Sequence, residues 1–573
     1  MSVIFGRYDR NSSLEPLYYR SSMSQKDERT VRRRNVLRIG AGITALTLAG
    51  CLEDAEPADG EADPDDGSDG TDGEDASEEP RDGGELIFAQ QQTPLQLDPI
   101  EINDIYSQQI ASQLYEPLFD FDEGTEPVPK MAAELPTVER DGERYIVELR
   151  DGPRFHNDEP VTATDVKHSL EAPLEEETAN AADVEMIESI DLVDEQTVQI
   201  DLEFGYGPFF TLVLTRNIVP RDARIEDRTA FNNETPIGSG PYELVDWTEG
   251  EFVELQRWDD YWDELPYAER LRFEPIEEQT TRVTVLETGD VDVIGGIPPQ
   301  LWETVENNQQ ATIDDAPGIS YFYLAFNTNE GPAADPQVRE AIDYVFSMDQ
   351  AVENFVEPAG VRNYGPVPVP VAETWDFPTD QWAQIPHDRD LDRAADLLED
   401  AGVSEDYEFT ILTPPDDIRE QIGVSVGNGL EEIGYSAQVQ RLDWGTFTDT
   451  YNTGNEDDCN MYTLGWLGGP DPDNYVYNLF HESQEGSTNG VYYRDGDLME
   501  QILEARRGGS IEERRPLYES AIETILDERL HLPAYSLSVS LGIRDRVNDL
   551  VAHPREQRNP RMVSDYNNVW LDE

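Results

Sequence analysis

Lysine is almost absent from this chain of 573 residues. Its basic residues number 41, and only Lys26, Lys130 and Lys167 among them are lysines, while its acidic residues number 122 and its formal net charge is −81. Proteins that bind nucleic acids place clustered Lys and Arg side chains against the phosphates. No basic stripe follows residue 40. The composition therefore excludes a nucleic-acid partner.

The acidic residues are spread along the whole chain and are not confined to one segment. Self-repulsion at this charge density destabilises a compact protein in dilute salt, whereas ~1 M salt shortens the Debye length to about 3 Å. We interpret the acidity as the adaptation of a halophilic protein to a high-salt habitat. Binding of cations or of basic partners is the alternative interpretation.

Cysteine and histidine are also scarce. Cys51 and Cys459 are the two cysteines, too few for a disulfide framework, and no CxxC pair occurs. The six histidines are scattered, and the chain has no HExxH spacing, no GxSxG elbow and no phosphate-binding glycine loop. We therefore predict no enzymatic activity, no metal site and no cofactor. A two-carboxylate hydrolase stays open as an alternative, because 122 carboxylates make close pairs inevitable.

The sequence has no apolar run long enough to span a bilayer as a helix, which takes ~20 residues. The uncharged run 39–50 has the length of a signal-peptide core. It follows the segment RRRNVLR, which begins at Arg32, and it ends in LAGC at Cys51. We predict a twin-arginine lipoprotein signal over residues 1–51, with translation starting at Met1 or Met23 and with lipid attached to Cys51 on the extracytoplasmic face of the membrane.

Residues 52–83 are almost entirely Asp, Glu, Gly, Ala, Ser and Pro. Like charges repel, and no apolar side chains offset the entropy lost on ordering, so we predict a disordered acidic tether here. Beyond residue 84, β-rich runs alternate with amphipathic helices, a pattern that predicts mixed α/β lobes. Thr162 or Thr164 is the expected N-cap of one helix, and Asp335 with Pro336 is expected to begin another.

Seven blocks occur in an order that resembles the family 5 extracellular solute-binding proteins, which include oligopeptide, dipeptide and nickel binders. The resemblance covers about residues 84–549. The blocks are QLDPI (96–100), QLYEPLFDFD (113–122), LRDGPRFHNDEPVTATDVKHSL (149–170), GSGPYELVDWTEGEFVELQRWDDYW (238–262), LETGDVDVIGGIP (286–298), YLAFNTNEGP with DPQVREAIDYVFS (323–347) and GWLGGPDPDNYVYNLF (465–480).

The resemblance implies an α/β fold of the periplasmic-binding-protein-like type II, with two hinged lobes and an inserted subdomain. The crossings between lobes are expected at 326–330 and at 532–536. The implied segments are lobe I at 84–123, 235–325 and 533–573, the inserted subdomain at 124–234, and lobe II at 326–532. Such a protein captures a solute between its lobes and delivers it, as a monomer, to the permease subunits of an ABC importer. A sensing role stays open.

The resemblance also implies the ligand-binding residues. Trp466 with Gly465 is the expected aromatic shelf, and Tyr106 is the expected opposing wall. Peptide-binding relatives follow the tryptophan with an aspartate that pairs with the peptide ammonium group. Here Leu467, Gly468, Gly469 and Pro470 follow it, so a peptide ligand is predicted from the family, while oligosaccharides and other neutral solutes stay open. Further candidate ligand-binding residues are Asn327, Tyr364, Asp471 and Tyr475.

Overall fold

The computed structural model describes residues 80–572. The predicted signal, the lipidation site Cys51 and the predicted tether up to residue 79 lie outside the described residues and stay predictions. Among residues 80–572, no helix combines the length and the apolar composition that crossing a membrane requires. Cys459 is buried.

The described residues form a mixed α/β structure. Its strands are β1 (Glu85–Gln90), β2 (Phe119–Phe121), β3 (Pro127–Pro129), β4 (Thr137–Glu139), β5 (Arg144–Glu148), β6 (Ile187–Leu192), β7 (Thr197–Leu202), β8 (Tyr242–Thr248), β9 (Phe252–Arg257), β10 (Arg270–Pro275), β11 (Val293–Gly295), β12 (Ala311–Pro317), β13 (Ser320–Phe326), β14 (Gly360–Arg362), β15 (Glu408–Thr413), β16 (Ser436–Arg441), β17 (Met461–Leu467), β18 (His531–Arg544), β19 (Val547–Asn548), β20 (Val563–Ser564), β21 (Asn567–Asn568) and β22 (Trp570–Leu571).

The α-helices are α1 (Ile105–Leu114), α2 (Ala163–Glu175), α3 (Phe209–Leu212), α4 (Arg221–Glu226), α5 (Arg228–Asn233), α6 (Gln279–Thr288), α7 (Pro299–Glu306), α8 (Pro336–Val345), α9 (Met348–Phe355), α10 (Val369–Thr374), α11 (Thr379–Trp382), α12 (Leu391–Asp400), α13 (Asp417–Glu432), α14 (Trp444–Tyr451), α15 (Asp473–Phe480), α16 (Gly496–Arg507) and α17 (Ile511–Asp527). Short 3₁₀ turns lie at Ala181–Asp183, Pro332–Ala334, Glu482–Gln484 and Glu556–Arg558.

Helix starts follow local chemistry. Thr162 is the N-cap of α2, where a capping box links it to Asp165, and Asp335 accepts a hydrogen bond from the Gln337 amide at the start of α8. Side-chain oxygens at these positions satisfy amide groups that have no partner within the helix. Both helices therefore begin where the sequence predicts.

One large sheet runs through the molecule, in the strand order β16, β15, β17, β13, β18, β11, β1, β10, β9 and β8. The long strand β18 joins its two halves. The first residues of β18 pair with β13 and β14, and its last residues pair with β11 and β12. Separate apolar cores pack on the two halves, one including Phe88 and Phe273 and the other including Tyr323 and Trp375. A single strand thus belongs to both halves.

The connection from β12 to β13 is the second link between the halves of the sheet. β12 pairs with β18 as far as Pro317 opposite Ser538, and β13 resumes the pairing with Phe322 opposite Tyr535. The strand partners therefore change near Gly318 and Ile319, ahead of the segment 326–330 expected from the sequence. On the returning strand they change near Leu537, next to the expected 532–536. The lobe boundaries themselves stay predictions.

Residues 124–234 contain a second, four-stranded sheet in the order β4, β5, β7 and β6. Its apolar core includes Tyr145, Val166 and Ile200, so α2 packs on this sheet. The chain then passes through α3 and returns to the large sheet at β8. This arrangement places α3 against the loop that follows β17, where the site described next lies.

Candidate functional site

The candidate site lies where the segment around α3 meets the loop that follows β17. We call the contact between residues 205–212 and residues 468–473 the seam. Across it, the Thr211 hydroxyl donates to Asp471 at 2.9 Å. Leu212 lies so close to Gly469 that a Cβ at that glycine would collide with its side chain. The seam joins residues about 260 positions apart in the chain.

The buried carboxylate of Asp471 organises the loop side of the seam. Its two oxygens accept from the guanidinium of Arg514 at 2.8 and 2.7 Å, and one also accepts from the Asp473 amide at 3.0 Å. Together with the Thr211 hydroxyl, these donors give both oxygens of the carboxylate two hydrogen bonds each. The structure therefore uses Asp471, a predicted ligand-binding residue, as an internal partner of Arg514 and of the segment around α3.

Trp466 stands near the end of β17, opposite Tyr321 of β13, and is half-buried. Its indole Nε1 has no hydrogen-bond partner among the described residues. The next residue, Leu467, is 78% exposed. A Cβ at Gly465 would collide with the ring of Phe322, so glycine lets this aromatic ring lie against the strand. The end of β17 thus carries a half-buried indole whose Nε1 is itself buried.

The other predicted site residues are placed as follows. Tyr475 is buried and donates to the Ile319 carbonyl at 2.7 Å, within the link between β12 and β13. Asn327 is buried and donates to the Cys459 carbonyl at 3.0 Å, so it satisfies backbone groups. Tyr364 packs against the same apolar cluster as Trp466. Tyr106 is half-buried in the first turn of α1.

A cavity of about 140 Å³ adjoins the seam at Leu212. Three of its lining residues are arginines, Arg216, Arg555 and Arg558, and none is acidic. The other lining residues are Pro99, Ile102, Gln108, Ala111, Ser112, Leu212, Thr215, Asn217 and Gln557. Sequence reasoning missed this cavity. Its one signal in the sequence is the spacing of Arg555, Arg558 and Arg561 in a chain dominated by acids.

Two of the three lining arginines have acidic partners. Arg558 pairs with Asp120 at 2.9 Å, and Arg216 pairs with Asp183 at 2.9 Å. Burial alone would raise the pKa of Asp120, but Arg558 and Arg561 outweigh it and hold this pKa well below its usual range. Asp120 is therefore ionised and is shared between two arginines behind the cavity.

Arg555 has no carboxylate partner among the described residues. Its guanidinium lies 4.3 Å from the centre of the Phe121 ring, and its Nε makes no hydrogen bond. Burial, together with the charge of Arg558, lowers the pKa of Arg555 to about 9. At neutral pH the side chain still carries its charge. The cavity therefore contains a cation that the described residues leave without an ion pair.

His553 fixes the backbone beside this arginine. Its Nδ1 accepts from the Arg555 amide at 3.0 Å, and its Nε2 donates to the Asp122 carbonyl at 3.1 Å. Those two bonds define a neutral ring, since a protonated ring has no acceptor. Burial and the nearby arginines lower the pKa of His553 to about 3. Among residues 80–572, no cluster of three or more His, Cys, Asp and Glu side chains could hold a metal.

Comparison with known proteins gives consistent matches. The model of the bacterial extracellular solute-binding proteins, family 5 (middle region), matches residues 126–487. The oligopeptide-binding protein AppA of Bacillus subtilis (strain 168) is 24% identical over 502 residues, covering 83% of this chain and 90% of AppA. The glutathione-binding protein GsiB of Escherichia coli (strain K12) is 25% identical over 451 residues, covering 76% of this chain and 86% of GsiB.

Solved structures share the fold. HbpA2 from Haemophilus parasuis is 21% identical and superposes with a TM-score of 0.76, covering 86% of this chain and 100% of HbpA2. AppA from Bacillus subtilis, solved with a nonapeptide, is 22% identical and superposes with a TM-score of 0.61, covering 86% of this chain and 100% of AppA. These matches confirm the predicted α/β, periplasmic-binding-protein-like fold.

Proposed function

We propose that this chain, which belongs to the bacterial extracellular solute-binding proteins of family 5, captures a peptide between two lobes and passes it to an ABC importer. Relatives named for oligopeptide and glutathione binding favour a peptide over other solutes. One structural observation carries the proposal. The half-buried Trp466 lies opposite Tyr321, beside the connection from β12 to β13, and a polar cavity adjoins the seam at Leu212.

In this mechanism the two strand connections act as a hinge. Few residues need to change φ and ψ there for two packed bodies to rotate. A solute that contacts both lobes only when they are closed shifts the population toward closure by its differential affinity. Driving the closed population from 1% to 99% takes about 5.5 kcal/mol of such affinity. The permease then recognises closure, and no bond is broken in the cycle.

The lobes and the anchor belong to the same proposal. We place the crossings between lobes at 317–320 and 536–538, where the strand partners change, with residues 124–234 as the inserted subdomain. We further propose export through the twin-arginine route, lipid attachment at Cys51 and a monomer held at the extracytoplasmic face by its acidic tether. The signal segment RRRNVLR with LAGC supports the anchor, and the acidic composition supports a high-salt habitat.

A neutral oligosaccharide is the second candidate solute. The half-buried indole of Trp466, followed by Leu467 and two glycines, suits a sugar stacked on an aromatic face. The family and the relatives are binding proteins, which favours stoichiometric binding over catalysis. A hydrolase would release products from the peptides or sugars that are offered to it.

The proposal is tested by calorimetric titration of the full chain in molar KCl with oligoalanines of three to six residues and with maltotriose. We expect stable binding of a peptide without release of products. Trp466→Ala should weaken that binding about tenfold or more, the loss of about 1.4 kcal/mol or more expected for an aromatic anchor. Trp444→Ala is the matched control, since Trp444 is 38% exposed at the start of α14.

Three results would contradict the proposal: no peptide binding, hydrolysis of the peptide, or equal losses in the two tryptophan variants. Binding of maltotriose alone would transfer the proposal to neutral sugars.

A further inference from the structure

The cavity beside the seam has the opposite charge from the rest of the protein. The chain has 122 acidic residues against 41 basic ones, yet three arginines and no acid line this cavity. A concave surface lined by one sign of charge raises the local concentration of solutes of the other sign. In molar salt, with a Debye length of about 3 Å, these arginines attract an anionic group only when it enters the cavity.

One positive charge at the cavity has no negatively charged partner among the described residues. Arg216 and Arg558 have Asp183 and Asp120 as partners, and Asp120 is also shared with Arg561. Arg555 is the remaining cation, and its Nε makes no hydrogen bond. Burying a charge without a partner costs free energy. A cation of this kind that lines a cavity is a candidate for a ligand contact.

Resting on the proposed function, we propose that this cavity binds a carboxylate group of the captured solute, with Arg555 as its ion-pair partner. The planar guanidinium matches a carboxylate with two parallel hydrogen bonds. Neutral amide side chains lining the same cavity, on Gln108 and Asn217, can donate further hydrogen bonds to its oxygens. The site therefore selects for charge at one end of the solute.

The size and position of the cavity limit what enters it. A single water needs about 10–15 Å³, so 140 Å³ has room for a carboxylate and some water but not for a whole peptide. Leu212 belongs to both the cavity and the seam. A solute lying along the Trp466 loop can thus place one end among the arginines.

The test compares peptides that differ in whether they have a carboxylate and in where it lies. Tetra-alanine with a free α-carboxylate, tetra-alanine amide, and Ala-Ala-Glu-Ala amide, which has only a side-chain carboxylate, are titrated into the full chain in molar KCl. We expect the free acid to bind the unmodified protein at least tenfold more tightly than the plain amide. The glutamate-containing amide tells whether the site takes an α-carboxylate or a side-chain carboxylate.

Two variants test the role of the arginine. Arg555→Gln should bind the acid and the amide equally, with the affinity for the amide unchanged, and Arg555→Lys should keep part of the preference. Arg441→Gln is the matched control, because it makes the same change of net charge at a half-exposed arginine that pairs with Asp417 and Glu420. It should leave the preference intact. Circular dichroism checks that each variant is folded.

Equal binding of acid and amide by the unmodified protein would overturn the carboxylate site while leaving peptide capture in place. A preference that survives in Arg555→Gln would also overturn it. Failure of all three peptides to bind would overturn peptide capture itself, and the inference with it. If Arg555→Gln does not fold, the comparison of acid with amide in the unmodified protein and in Arg555→Lys still decides the question.

Discussion

The two sides of the seam differ in whether their arginine has a carboxylate partner. On the loop side, Arg514 is buried against Asp471, with two hydrogen bonds between them and a third to Asp471 from Thr211. On the cavity side, Arg555 has no carboxylate among the described residues. A fully paired buried charge holds structure together, whereas a cation left over beside a cavity is expected where a solute supplies the missing partner.

The largest effect should come from breaking the paired side. Arg514→Gln leaves Asp471 buried without its main partner, and removing one member of a buried ion pair costs about 3–5 kcal/mol. We expect a loss of that size in the free energy of unfolding. Urea denaturation of the full chain in molar KCl, followed by circular dichroism, measures it.

The neighbouring residue provides the control. Arg515 lies on the same helix, α17, and pairs with Asp376, which is 85% exposed. Because exposed ion pairs contribute about 0–1 kcal/mol, Arg515→Gln should change the free energy of unfolding by less than 1 kcal/mol. Equal midpoints for the two variants would show that the Asp471 and Arg514 pair does not hold the loop.

The sequence predicts the fold well where the signals are local. The caps at Thr162 and Asp335 satisfy amides within their own helices, so a few adjacent residues specify them. The 14 residues of β18 are a different case. Their partners, β12 and β13, lie more than 200 positions away in the chain. The local sequence does not predict that the two halves of one strand pair with different neighbours.

The candidate site shows the same difference between local and long-range signals more clearly. Resemblance to the family led to Trp466 and its loop, because such blocks are contiguous in sequence. It offered Asp471 as a ligand-binding residue, whereas Arg514, 43 positions away, and Thr211, 260 positions away, occupy its carboxylate. Arg216 and Arg555 both line the cavity although they lie far apart in the chain. Tertiary packing brings them together, and their spacing in the sequence does not predict it.

The pH dependence of stability sharpens the comparison on the cavity side. His553 is neutral in the folded protein, with a pKa lowered to about 3 by burial, whereas its unfolded pKa is about 6.5. As pH falls from 6.5, the unfolded chain takes up a proton that the folded protein does not, so stability is lost on acidification. One group contributes about 1.4 kcal/mol per pH unit, or about 3 kcal/mol between pH 6.5 and 4.

His553→Gln should therefore reduce the slope of the unfolding free energy against pH by about one proton in that window. Urea titrations at several pH values between 4 and 6.5 measure the slope. The hydrogen bonds lost with the ring change the unfolding free energy by the same amount at every pH and leave the slope unchanged. His387→Gln is the control, since that ring is more exposed, and it should change the slope less. An unchanged slope in His553→Gln would mean that the ring titrates alike in both states.

A smaller effect is expected from the bond that crosses the seam. Thr211→Val keeps the side-chain shape but removes the hydroxyl that donates to Asp471 at 2.9 Å and lies 3.1 Å from the Pro208 carbonyl of its own segment. Hydrogen bonds to charged groups contribute about 1.5–3 kcal/mol, and Arg514 still holds the carboxylate, so we expect a loss near 1.5 kcal/mol in urea denaturation. Thr215→Val serves as the comparison, because the Thr215 hydroxyl bonds to the Thr211 carbonyl within its own segment. A cost no larger than that of Thr215→Val would mean that the bond to Asp471 contributes little.

The smallest change in stability should come from Arg555, in contrast to Arg514. Arg555→Gln removes a contact with the Phe121 ring, where a cation contributes about 0.5–1 kcal/mol. It also removes a desolvated charge that repels Arg558. Because the two effects oppose each other, the free energy of unfolding without solute should stay within about 1 kcal/mol of its original value. A loss as large as that of Arg514→Gln, in the same urea titration, would mean that Arg555 is paired within the protein, and the distinction between the two sides of the seam would disappear.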